Sequence, residues 1–170
     1  MFSPVFRALV KKAIVPVMLL WSVSAPVNAE AVGDLVQTVR ADGRFTVLLK
    51  AVETAGLLQA LQSEGPFTLF APTDDAFAAL PEGAMDELLD PNNRALLTRV
   101  LKYHVVPEAI TVSDLEEETF AETLEGNEVS IDLLDQMYVE NAVITKPDTE
   151  AANGIIHVID AVIVPSDLVL

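Results

Sequence analysis

Asn153-Gly154-Ile155-Ile156-His157-Val158-Ile159-Asp160-Ala161-Val162-Ile163-Val164-Pro165 decides the fold. A turn dipeptide opens this run, a proline closes it, and β-branched residues fill it. It reads as one long strand. Ile155, Ile159 and Ile163 share one face with His157 and Ala161. Ile156, Val158, Val162 and Val164 share the other with Asp160. A strand apolar on both faces belongs in the middle of a sheet, with cover on each side. Lying near the C-terminus, it has to pair with segments that come earlier.

Upstream, helical spacing dominates first. Ala31 to Arg40 predicts a short helix, and Phe45, Leu48, Leu49 and Val52 mark an amphipathic one that Gly56 ends. Leu57, Leu58 and Leu61 mark another, stopped by Gly65-Pro66. Phe67 to Ala71 is a short buried strand. Thr73 is the N-cap of a helix with Asp74 and Asp75 in its first turn, where the helix dipole favours negative charge. Met85, Leu88 and Leu89 form a brief helix. A longer one, capped at Asn92 or Asn93, buries Leu96, Leu97, Val100 and Leu101. The chain then turns to β structure. Ser113 is a candidate N-cap, Thr119 to Leu124 a strand, and Glu128 to Leu133 an alternating strand. Met137 to Lys146 is a further strand, and Pro147 to Asn153 a polar loop. Helices in the first half and strands in the second argue an α+β fold, with the last strands in an antiparallel meander.

Residues 1–29 have the pattern of a secretory signal peptide. Arg7, Lys11 and Lys12 form a basic start, Ala13 to Ala25 an apolar run, and Val27-Asn28-Ala29 a small-residue cleavage site. Cleavage after Ala29 leaves residues 30–170 as a single domain. Losing those three basic residues takes the formal net charge from −16 to −19. That charge repels phosphate backbones and argues against a nucleic-acid partner. The chain has no cysteine, so its stability rests on its core and not on disulfides. The expected product is secreted or periplasmic, monomeric and without a membrane anchor.

Three stretches together resemble the fasciclin I (FAS1) domain family. Phe67-Thr68-Leu69-Phe70-Ala71-Pro72-Thr73-Asp74-Asp75-Ala76-Phe77 resembles the family's first signature. Leu101-Lys102-Tyr103-His104-Val105-Val106-Pro107 resembles its tyrosine-histidine motif, and Asn153 to Asp160 its second signature. The match runs from about Ala31 to Pro165. It implies a β-wedge of two sheets with a helical cap, and adhesion or matrix contact in place of catalysis. The implied partner is a cell-surface or matrix protein or a polysaccharide, with no cofactor and no metal.

The resemblance marks Tyr103 and His104 as candidate partner-binding residues, together with Asp148 and Thr149 in the loop before the last strand. Animal relatives carry an adhesive Asp-Ile pair at that loop; here Thr149 replaces the isoleucine. Two rival functions need different structures. A carrier of a small hydrophobic ligand needs a cavity lined by residues such as Phe45, Phe70 and Phe77. A hydrolase needs His104 or His157 free to act. His157, set among isoleucines, reads as a neutral core imidazole with a hydrogen-bond partner.

Overall fold

The computed structural model describes residues 33–117, 119–133 and 135–169. The signal sequence read at residues 1–29 lies outside them. Among the described residues no helix is long and apolar enough to cross a membrane.

Three helices come first: α1 (Leu35–Asp42), α2 (Thr46–Ala55) and α3 (Leu58–Leu61). Asp34 caps α1 by accepting from the Gln37 amide, and Gly56 ends α2 in the left-handed conformation. β1 (Phe67–Pro72) follows, then α4 (Asp74–Ala78), α5 (Ala84–Leu89) and α6 (Arg94–Tyr103). Thr73 caps α4 as its sequence position requires. Asp74 has a second task. Its carboxylate accepts from the Thr46 hydroxyl and the Val47 amide at 2.6 and 2.8 Å, which secures the start of α2. Asp74 thereby caps a helix other than its own.

The remaining elements are β2 (Val105–Val106), α7 (Val112–Leu115), β3 (Phe120–Glu122), β4 (Glu128–Leu133), β5 (Met137–Val139), β6 (Ala142–Ala151) and β7 (Gly154–Ile159). The strands form one hydrogen-bonded order, β2-β1-β7-β6-β5-β4-β3. All pairs are antiparallel except β1 and β7, which run parallel from Phe67↔Gly154 to Pro72↔Ile159. The last strand is central, as its two apolar faces demand.

The expected wedge is present as two halves of this continuous sheet. β6 changes register between Ile144 and Lys146 and again between Lys146 and Thr149, which bends the sheet. Inside the wedge, Phe70, Val106 and Ile159 from one half pack with Ala121, Val129, Ile131, Val139 and Ile144 from the other. The opposite face of β1 and β7 packs Leu69, Ala71, Ile156 and Val158 against the helices. The Leu124 amide donates to the Val105 carbonyl at 2.8 Å, so the two outer edges of the sheet meet at one end.

Several sequence expectations change here. β7 stops at Ile159 instead of continuing to Val164. The Asp160 side chain accepts from the Val143 amide at 2.8 Å and closes the β6–β7 ladder. Asp160 itself is exposed. The alternation nonetheless continues past the strand: Val162 joins the helical core and Ile163 the wedge interior. The strand expected from Met137 to Lys146 is two strands, broken at Glu140, whose φ is 55°. The expected loop from Pro147 belongs to β6, where the bulge accommodates the proline's missing N–H. The N-cap of α7 is Thr111 and not Ser113, because Thr111 and Asp114 form a reciprocal capping box.

Asn153 has a role that its place in a turn dipeptide conceals. Its Oδ1 accepts from the Leu35 amide at 2.9 Å, and its Nδ2 donates to the Leu61 and Ser63 carbonyls at 2.7 and 2.9 Å. Its own carbonyl accepts from the Phe67 amide. One side chain therefore ties together the start of α1, the end of α3 and the entry to β7.

Candidate functional site

Tyr103 and His104 close α6 and lead into β2. They are 3% and 1% exposed, so neither presents a surface to a partner. The apolar flanks Leu101, Val105 and Val106 are buried with them. The Tyr103 hydroxyl lies 3.2 Å from the Glu128 carbonyl and 3.3 Å from the Glu140 carboxylate. Burial, with the Glu140 charge beside it, pushes the phenol up to about 12. It stays neutral and ties the α6 end to the strands.

Both ring nitrogens of His104 are engaged. Nδ1 is 2.7 Å from the Val100 carbonyl, which can only accept, so Nδ1 carries the proton. Nε2 accepts from the Ile163 amide at 3.2 Å. Burial pushes its pKa down to about 4 against the favourable Val100 contact. His157 is the mirror case. Its Nε2 donates to the Ile110 carbonyl at 2.7 Å, its Nδ1 accepts from the Asp148 amide at 3.3 Å, and its ring stacks on Phe70. Burial lowers its pKa as well, outweighing the Ile110 contact and the Asp148 charge. Each imidazole is held as one neutral tautomer with no lone pair or proton left for a substrate.

Asp148 is where the buried network reaches solvent. It is exposed, sits in the β6 bulge and has φ of 51°. Its Oδ1 accepts from the Val112 amide at 2.9 Å, adding to the cap of α7, while its amide donates to His157. The aspartate thus joins the bulge, α7 and the buried imidazole. Its neighbour Thr149 is half-buried, and the Thr149 hydroxyl oxygen is buried with no hydrogen-bond partner. Of the four residues marked in the sequence, Asp148 alone is an exposed side chain.

That position allows a graded test. Asp148→Asn keeps both the tolerance of positive φ and the acceptor, and is expected to leave stability within about 0.5 kcal/mol. Asp148→Ala loses both and is expected to cost about 2 kcal/mol in urea denaturation. Equal stabilities for the two variants would mean that the Val112 contact contributes nothing.

The carrier reading needs a cavity beside Phe45, Phe70 and Phe77, and among the described residues none of the larger cavities is lined by them. Phe45 and Phe77 are packed in the helical core and Phe70 in the wedge core. The void between Leu35, Val39, Leu48 and Leu69 is about 10 Å³, room for a single water at most and not for a ligand. Among the described residues no three histidine, cysteine or acidic groups gather as metal ligands.

The Fasciclin domain family model matches residues 43–165, most of the chain. The chain belongs to the fasciclin domain family. An uncharacterized protein of Synechocystis sp. is 46% identical over 130 residues, spanning 76% of this chain and 96% of that one. The transforming growth factor-beta-induced protein ig-h3 of Sus scrofa is 33% identical over 134 residues, spanning 78% of this chain and 19% of the relative. A FAS1 domain pair from the insect cell adhesion molecule fasciclin I superposes with a TM-score of 0.72 at 18% identity, covering 79% of this chain and 52% of the other. This fasciclin chain is thus similar to one whole short bacterial protein and to single segments of longer animal ones. The tyrosine-histidine motif of the fasciclin domain here is an interior hinge-pin between α6, β2 and the chain after β7. The sequence signal that it is interior was available in its flanks: Leu101, Val105 and Val106 leave no polar side on which to expose it.

Proposed function

We propose that this fasciclin domain is a secreted, non-catalytic interaction module that binds a cell-surface or matrix protein or a polysaccharide. The observation that supports it most is the state of the two histidines. Both carry hydrogen bonds on both nitrogens inside the fold, so the chain's best acid–base groups are consumed in structure. What remains for function is surface. The insect relative is part of a cell adhesion molecule, which fits the same role. In this reading the Asp148–Thr149 bulge is a contact point, held rigid from beneath by His157 and α7. A preorganised contact loses little entropy on binding.

The test is binding of the purified chain to intact cells and to envelope polysaccharide, followed in parallel with Asp148→Asn and with His104→Gln. Saturable binding, retained by any His104→Gln protein that folds, is the expected result. A hydrolytic activity that disappears in the folded His104→Gln protein would replace this reading with an enzymatic one.

A further inference from the structure

The outward face of β3, β4 and β5 combines an exposed aromatic ring with unpaired acidic side chains. Ala121, Val129, Ile131 and Val139 point into the wedge, so Phe120, Glu122, Glu128, Asp132 and Tyr138 point away from it. Phe120 is 59% exposed, a large apolar ring left in water. Glu122 and Glu128 stand directly opposite each other across the β3–β4 pair. Like charges in that relation repel. Asp132 stands opposite Tyr138 across the β4–β5 pair. Among the described residues none of the three acids has an ion-pair partner.

The sequence around this face is one-signed. From Tyr103 to Thr145 there are eleven acidic residues and no lysine or arginine. A sheet face that sets an unneutralised glutamate pair next to an exposed aromatic ring matches one side-chain chemistry. A guanidinium or ammonium group neutralises the carboxylates and stacks on the ring. The field of the whole acidic chain draws cationic groups toward it.

We propose that the outer face of β3, β4 and β5 is a docking surface for an arginine- and lysine-bearing protein segment, whose cationic side chains sit between Glu122 and Glu128 and against Phe120. This rests on the interaction-module reading and names the partner's chemistry. Anionic polymers are repelled here, and a neutral polysaccharide, although its hydroxyls can donate to the carboxylates, leaves the charge of the glutamate pair unneutralised.

Fluorescence anisotropy with the whole chain tests it, using a labelled dodecapeptide of alternating arginine and serine as probe and its glutamate–serine counterpart as control. The arginine peptide is expected to bind, more tightly at low salt, and the glutamate peptide not at all. Phe120→Ser should weaken binding about threefold, the loss of one exposed cation–π contact. Neutralising the pair, with Glu122→Gln and Glu128→Gln together, should weaken it about fivefold while raising the thermal midpoint by relieving repulsion. A charge-matched control on α5, Asp86→Asn with Glu87→Gln, should leave affinity within about twofold, since those charges lie elsewhere. Equal weakening by the two charge-matched pairs would reduce the effect to net charge and overturn the site. So would absence of peptide binding, or Phe120-dependent binding of neutral laminarin without peptide binding. Loss of this face with binding to cells intact would leave the interaction-module reading standing, and loss of both bindings would remove both.

Discussion

Gly154→Ala is expected to leave the domain unable to fold. A Cβ at Gly154 would lie 2.0 Å from the Phe67 carbonyl oxygen and 2.9 Å from its carbon, both backbone atoms. The two residues are register partners at the head of the parallel β1–β7 pair. Gly65 meets the same junction from the other side, where its Cβ would lie 2.0 Å from the Asn153 carbonyl oxygen. No rotamer relieves a clash with backbone. The strands must separate, yet both are packed on two faces, by Leu69 and Ile156 toward the helices and by Phe70 and Ile159 toward the wedge. Separation also breaks the Phe67 amide bond to Asn153, whose side chain holds α1 and α3. The combined cost exceeds about 4 kcal/mol, a large part of a domain's stability. Circular dichroism should show no cooperative urea transition. Gly126→Ala is the internal control. Gly126 has φ of 101° but open space around it, so the backbone strain alone should cost about 1–2 kcal/mol and leave a cooperative transition. A Gly154→Ala protein with the parental midpoint would mean that β1 and β7 do not approach this closely.

Mild acid is expected to destabilise the domain through its histidines. His104 has a folded pKa of about 4 against an ordinary value of 6.5. Between those values the unfolded chain binds a proton that the folded chain refuses. Stability is therefore complete above pH 6.5 and falls as pH drops toward 4, by about 3 kcal/mol in total for this one group. His157, also lowered by burial, adds to the loss in the same direction. In each ring the bare nitrogen faces a backbone N–H, from Ile163 and from Asp148, so a second ring proton meets a donor and not an acceptor. The carboxylate of Asp74 acts at lower pH. Burial opposes its charge, but the Thr46 and Val47 hydrogen bonds outweigh burial, and its contribution is lost only as pH falls below the ordinary carboxylate range. Urea midpoints measured from pH 7.5 to 5.0 should decline steadily. A midpoint flat across that interval would mean that the folded state accepts protons at both rings.

The order of elements was legible because its signals are local. Gly56 ends α2, Thr73 caps α4, and Glu128 to Leu133 alternates in and out as its sequence does. The alternation from Ile156 to Ile163 assigns the apolar residues to the two cores even beyond the end of the strand. Pairing was not legible, because no residue pattern states that β7 runs parallel to β1, some ninety residues earlier. The end of β7 was hidden for the same reason: Asp160 stops the ladder by bonding Val143 on another strand. The site was read least well. Asp148 is exposed, as its turn position reads, but its restraint comes from Val112, 36 residues earlier, and from His157 on the next strand. The Phe120 face was missed because the acidic run beside it reads as ordinary solvated surface.

The place of β7 has a consequence for how the molecule comes into being. The strand that joins the two halves of the sheet occupies residues 154–159 of 170, and both of its neighbours precede it. A chain delivered from its N-terminus can build its helices early, but it holds an unfilled slot between β1 and β6 until almost all of it has emerged. Closure then requires bringing residues 67–72 beside residues 154–159, a contact of high sequence separation whose loop entropy is met in one late step. Trimming the chain before Ile159 removes the keystone of the sheet and not merely a tail.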